Sequence, residues 1–129
     1  MLGELSLLLY VALGGALGSV LRFLTVILVK KLLGSGFPWE MVVVNTLGCF
    51  VVGFFAAFLY LKFPHPRWIM FVYWGLIGGF TAFSSFVKEG LHLFVHGDHL
   101  TGFFYLLLQN TLGMLAAAVA FYGGKHLFS

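Results

Sequence analysis

The sequence predicts an all-α integral membrane protein of four transmembrane helices, the third of them broken mid-membrane. Three observations carry that prediction. Of the 129 residues, 61% are hydrophobic and only 9% are charged, and mean hydropathy is +1.06. A soluble domain carries roughly 25% charged residues, because most of its surface faces water. Four apolar runs also reach the roughly 20 residues that a bilayer-spanning helix needs. Finally, Gly78-Gly79 and the hydroxyl residues Thr81, Ser84 and Ser85 fall inside the third run, and glycine pairs and hydroxyls weaken a helix interior.

The first helix is expected over about residues 5–29, ahead of Lys30-Lys31 and the turn Gly34-Ser35-Gly36-Phe37-Pro38. The second is expected over 39–61, closed by Lys62 and the breaker Pro64-His65-Pro66. The third is expected over 68–95, ending at His96-Gly97-Asp98-His99, and the fourth over 101–122, before Gly123-Gly124-Lys125. Together they form one transmembrane domain. Trp39, Tyr60, Trp68 and Tyr122 stand near these ends, where aromatic belts form. The first run has no basic leader and is longer than the apolar core of a cleavable signal, so it is expected to stay as a helix.

Net charge is +3, spread between the apolar runs. It forms no basic patch, so no nucleic acid is expected as a partner. Basic residues usually gather on the cytoplasmic side. Here Lys62, Arg67 and Lys125 fall on one side and Lys30, Lys31 and Lys88 on the other. The balance gives no orientation. It fits a chain for which this count is silent, and equally one that inserts both ways and pairs as an antiparallel dimer. A two-fold partner is the commonest homo-oligomer, and four short helices can hardly enclose a polar pathway alone. Gly14-x-x-x-Gly18 and Gly75-x-x-x-Gly79 allow close helix approach, which packing within one chain explains most simply.

Polar groups inside a span face protein or water and point to function. Arg22 lies in the first span near its loop end, and a central Arg costs roughly 2.5–3.5 kcal/mol on insertion scales. It can snorkel to the interface or present a cation to a watery vestibule. The Asn45 amide can bridge two helices or donate to an anion. A break at Gly78–Thr81 presents carbonyl oxygens that suit a cation. Phe83 and Phe86 lie on neighbouring parts of one helical face, and ring edges carry partial positive charge that can touch a small anion. Tyr105, Gln109 and Gly113 form a stripe at a spacing of four, able to line a route with donors, while Asn110 and Thr111 point elsewhere.

Other features exclude function classes. His92 and His96 have a metal-like spacing, but no Asp, Glu or Cys joins them within the helix, so His92, His96 and His99 are read as interfacial. Cys49 is alone and reads as a small packing residue. No P-loop, Gly-x-Ser-x-Gly or His-Glu-x-x-His occurs. Glu4 and Glu40 sit at span edges, and no span is expected to bury a carboxylate. An enzyme is therefore not expected, and proton-coupled transport lacks its usual carrier.

At these residues the chain resembles the Fluc/CrcB family of fluoride-specific channels. The motifs are Gly14-Gly15 to Arg22-Phe23, Asn45 to Gly48 with Gly53, and Gly78-Gly79-Phe80-Thr81-Ala82-Phe83-Ser84-Ser85-Phe86, with Tyr105 and Asn110 agreeing in the fourth helix. The resemblance implies an antiparallel, dual-topology homodimer in the bacterial inner membrane that passively exports fluoride through two pores and lowers its toxicity. It implies Phe83 and Phe86 on the fluoride path, Asn45 supporting it, and Ser84 and Tyr105 extending it. It also implies Arg22 in the vestibule and a structural Na⁺ at the dimer centre, held by the backbone carbonyls of Gly78 and Thr81. Two departures stand out. The family often has Thr-Thr-Phe-Ser-Thr-Phe where this chain has Thr81-Ala82-Phe83-Ser84-Ser85-Phe86. Many members also place small hydroxyl residues where Gln109 and Gly113 stand.

Two rival readings remain in view. A small proton-coupled drug exporter of four helices needs a buried carboxylate in its first span, and none follows Glu4 there. An assembly subunit of a larger membrane complex leaves the Thr81–Phe86 cluster without a purpose.

Overall fold

The computed structural model describes residues 2–62 and 64–129; Met1 and Phe63 lie outside the described residues. Every regular element among them is helical: α1 (Leu2–Leu33), α2 (Trp39–Leu61), α3 (Pro66–Ile69), a π-helical stretch (Met70–Ile77), α4 (Gly78–Phe80), α5 (Phe83–Val95) and α6 (His99–Phe128). Four segments are long and apolar enough to cross a membrane, the third being Pro66–Val95. Leucines 5, 8, 9 and 13 of α1 point outward, as lipid-facing side chains do.

Helix ends follow local chemistry. Lysine forms helix well, so α1 runs through Lys30-Lys31 to Leu33, beyond the expected end, and stops where Gly34 takes φ 79°. Pro66 occupies the first turn of α3, where its missing N–H costs nothing, and the His65 ring accepts from the Arg67 amide. A second left-handed glycine, Gly97 at φ 82°, separates α5 from α6. The fourth helix does not end at Tyr122. Gly123 and Gly124 stay helical because Gly124 is a contact surface: a Cβ there would meet Ala57 and Phe54 of α2.

Close glycine contacts set the packing. Gly14 and Gly18 of α1 lie against the backbone of Phe71, Gly75, Leu76 and Phe80, and Gly79 lies against Gly15. The two small-residue motifs therefore meet each other inside one chain. On the opposite side α2 lies along α6, with Gly53 against the Ala117 carbonyl. In lipid, helix association rests on such close packing, because acyl chains are as apolar as the side chains. We expect Gly18→Val and Gly53→Val to abolish recovery of monodisperse, detergent-extracted protein by size-exclusion chromatography. Gly123→Ala, whose methyl meets open space, should be recovered like wild type.

Within the third span, Thr81 (φ −78°, ψ 155°) and Ala82 (φ −145°, ψ 97°) are extended, so α4 stops at Phe80 and α5 starts at Phe83. The departure from helix falls later than the glycines: Gly78 and Gly79 keep helical geometry, because Gly79 is needed for contact with α1. Beyond it, α5 packs against α6 and leaves Phe83, Val87, Leu91 and Val95 as an exposed apolar row.

Candidate functional site

The site is built around those two extended residues. An extended residue inside a span needs partners for its N–H and C=O. Asn45 of α2 supplies both. Its Oδ1 accepts from the Ala82 amide at 2.9 Å, and its Nδ2 donates to the Ala82 carbonyl at 3.3 Å. The side-chain amide thus replaces a neighbouring strand. Arg22 donates from Nη1 to the Thr81 carbonyl at 3.3 Å. The Thr81 amide and hydroxyl both reach back to the Ile77 carbonyl, at 2.9 and 3.0 Å. Its methyl fills the space left by Gly48, where any Cβ would collide with it.

These bonds have two electrical consequences. The Ala82 amide, which would continue the helix by donating to Gly78, is turned to Asn45 instead, so the Gly78 carbonyl loses its helical partner. At the start of α5, the Phe83, Ser84 and Ser85 amides have no preceding turn to donate to, and the helix dipole places partial positive charge there. Ala82 precedes α5 without a side-chain cap. A carbonyl end and an amide end therefore face one another across two residues.

Aromatic rings cover the amide end. Phe83 is 76% exposed and Phe86 only 6%, with ring centroids 5.8 Å apart. Phe86 lies 5.2 Å from Tyr105, whose ring meets Phe37 edge-on at 5.5 Å. Ser84 is exposed beside Phe83. Tyr105 is fully buried, and its hydroxyl has no partner among the described residues. Arg22 also borders an open cleft of about 430 Å³ shared with Lys30 of α1, Glu40 of α2, and Ser85, Lys88 and Glu89 of α5. Three cations line it against two carboxylates.

The structure thus brings Arg22, Asn45 and Thr81 together at the interruption, with Phe83, Ser84, Phe86 and Tyr105 on its α5 side. The expected stripe on the fourth helix is buried within the chain. Tyr105, Gln109 and Gly113 are buried in the seam with α2, where Gln109 Nε2 donates to the Met41 carbonyl at 3.2 Å and Gly113 leaves room for Cys49. Asn110 bonds within its own helix, to the Leu106 carbonyl. The expectation that no span buries a carboxylate also fails: Glu40 is 4% exposed, since the first turn of α2 is tucked beneath the cleft. The His92 and His96 ring centroids lie 4.1 Å apart with the planes tilted by 40°, and the described residues hold no group of three metal-ligating side chains. Ala82 and Gly48 are site residues that the sequence motifs contain but to which no role was given. The shortness of both side chains was the only signal.

Four membrane-length helices, with polar side chains gathered at an interruption in the third, define a multi-pass membrane protein. The profile of the family described as "CrcB-like protein, Camphor Resistance (CrcB)" matches residues 9–121. The chain is 39% identical over 127 residues to a protein of Dehalococcoides mccartyi, covering 98% of this chain and 95% of that one. It is 48% identical over 100 residues to a protein of Opitutus terrae, covering 73% and 74%. A protein of Rhizobium meliloti is 39% identical over 110 residues, covering 84% and 88%. All three relatives carry the name fluoride-specific ion channel FluC. The chain belongs to the CrcB family.

Proposed function

We propose that the protein is a fluoride-selective channel that lets fluoride leave the cytoplasm passively, in a bacterial inner membrane, as an antiparallel pair of identical chains. One observation carries the reading: the extended pair Thr81–Ala82, clasped by Asn45, opens the start of α5 beside Phe83 and Phe86. Kinship with channels named fluoride-specific supplies the ion.

Fluoride is small and strongly hydrated, so a pore must replace its lost water with donors while holding it weakly enough to release it. Arg22, Lys30 and Lys88 raise the local anion concentration at the cleft. The open amides of α5, the Ser84 hydroxyl and the ring edges of Phe83 and Phe86 offer partial positive charge without a full counter-charge in the narrow part. The exposed row Phe83, Val87, Leu91 and Val95 is the surface a second copy would cover, and its partner's rings would complete the path.

The same interruption suits a structural Na⁺. The Gly78 carbonyl is released from helical bonding, and the Thr81 carbonyl, which takes one bond from Arg22, retains a second lone pair. Two copies meeting there would supply four oxygens, the donor type that a hard cation takes at broken membrane helices. When bound, the ion would tie the two carbonyl ends together; the chain's own part is to present the oxygens.

The test is fluoride release from proteoliposomes, followed with a fluoride electrode. The expected outcome is rapid release without any imposed proton gradient, with chloride release at the protein-free background. Equal rates for the two anions, or release only with a proton gradient, would overturn the reading.

A further inference from the structure

The geometry points to Glu40 as a residue that sets the rate of anion entry, a fixed negative charge on the floor of the cation-lined cleft that slows anions passing beneath it. The inference rests on the channel reading above. Glu40 is 4% exposed and lines the cleft with Arg22, Lys30, Lys88 and Glu89. Its Oε2 is sealed from solvent and has no hydrogen-bond partner among the described residues. A buried carboxylate kept for stability is normally paired and hydrogen-bonded, and among the described residues this one neither caps a helix nor bridges a cation. Behind it stand Tyr105 and Gln109 of α6. The Gln109 amide nitrogen is used on the Met41 carbonyl, which leaves its oxygen Oε1 as a second buried, unpartnered acceptor, 7% exposed in its residue. The orientation of that amide is fixed chemically, since the Met41 carbonyl requires a donor. Of these two free acceptors, only Glu40 belongs to a residue that lines the cleft.

The cleft is thus polarised. Its α1 and α5 walls, with Arg22, Lys30 and Lys88, attract anions; its α2 floor, with Glu40, turns them away. Glu89 on α5 adds a second, half-buried negative charge at the rim. An anion is steered along the α5 wall, past Ser85, toward Ser84 and Phe83.

Fluoride release from proteoliposomes tests this with wild type, Glu40→Gln, Glu40→Ala and Glu40→Asp. Removing one unit charge from a site several ångströms from the ion's path is expected to raise the initial rate about threefold or more at low ionic strength. The gain should shrink as added inert salt screens the charge. Glu40→Asp keeps the charge and should stay near the wild-type rate. Glu40→Ala repeats the neutralisation without the amide, so one neutral variant that fails to fold leaves the other to decide. A neutral variant that is monodisperse and no faster than wild type overturns the inference, as does a gain that persists unchanged in high salt. A wild-type protein that releases no fluoride overturns the channel reading instead.

Discussion

Replacing Asn45 by Asp is expected to cut fluoride release by roughly a hundredfold or more, the equivalent of about 2.7 kcal/mol on the barrier, and to lower the thermal midpoint of the purified protein. Asn45 is nearly isosteric with Asp, so the change removes chemistry rather than volume. The Ala82 amide still finds an acceptor. The Ala82 carbonyl, which receives the Asn45 Nδ2 at 3.3 Å, instead faces a carboxylate oxygen. The Ala82 carbonyl keeps its 3.3 Å bond from the Phe86 amide; the lost side-chain bond costs about 0.5–1.5 kcal/mol, and a carboxylate brought into the seam without a partner adds to that. The extended geometry of Ala82 rests on this clasp, so the start of α5 loses its fixed position relative to Phe86 and Arg22. A pH series separates the clasp from simple crowding. Protonating the introduced carboxyl restores a donor toward the Ala82 carbonyl, so the thermal midpoint of the Asn45→Asp protein should rise toward wild type in acid. Asn45→Leu, which restores no donor at any pH, should show no such recovery. If the two variants behaved alike, the clasp would not be what holds the interruption.

The hydropathy of the chain placed four membrane-length helices because lipid leaves no other way to cover so much apolar surface. It placed their ends less well. Hydropathy stops at Lys30-Lys31, while helical hydrogen bonding continues to Leu33; it stops at Gly123, while Gly124 is held helical by Ala57. The weakness of the third helix was legible in Gly78, Gly79 and Thr81. Its position was not, because the choice of Thr81 and Ala82 depends on Asn45, a partner 37 positions away whose register against α4 no local pattern encodes. Ala82 looks like a lost hydroxyl in the sequence, yet the structure uses its backbone. Glu40 illustrates the same limit: a carboxylate one residue into a helix reads as a capping, solvent-facing charge, and only the packing of α2 under α1 and against α6 buries it.

The rings divide the contributions to stability and flux. Phe86, packed on Tyr105, belongs to the core shared by Met41, Val42, Ala82 and Leu93. Phe86→Ala opens a void there. Such a change costs about 3–5 kcal/mol in a water-soluble core, and less where the competing state is itself in lipid, whose tails are as apolar as the core. It should therefore lower both the thermal midpoint and the fluoride rate, and by itself cannot show what the ring does for the ion. Phe83 can. At 76% exposure it supports little within its own chain, so Phe83→Ala should cost the single chain no more than about 0.5 kcal/mol, as surface substitutions do, and any larger loss comes from the face that a second copy covers. A ring-edge contact of the size found between aromatic pairs, about 1.5 kcal/mol, would be roughly tenfold in rate, and that loss is expected in the proteoliposome assay. Phe83→Tyr keeps a ring edge and should retain more of the rate than Phe83→Leu, which keeps bulk but no quadrupole. A Phe83→Ala protein that conducts like wild type would return the ring to the lipid and leave the α5 amides as the donors that the ion meets.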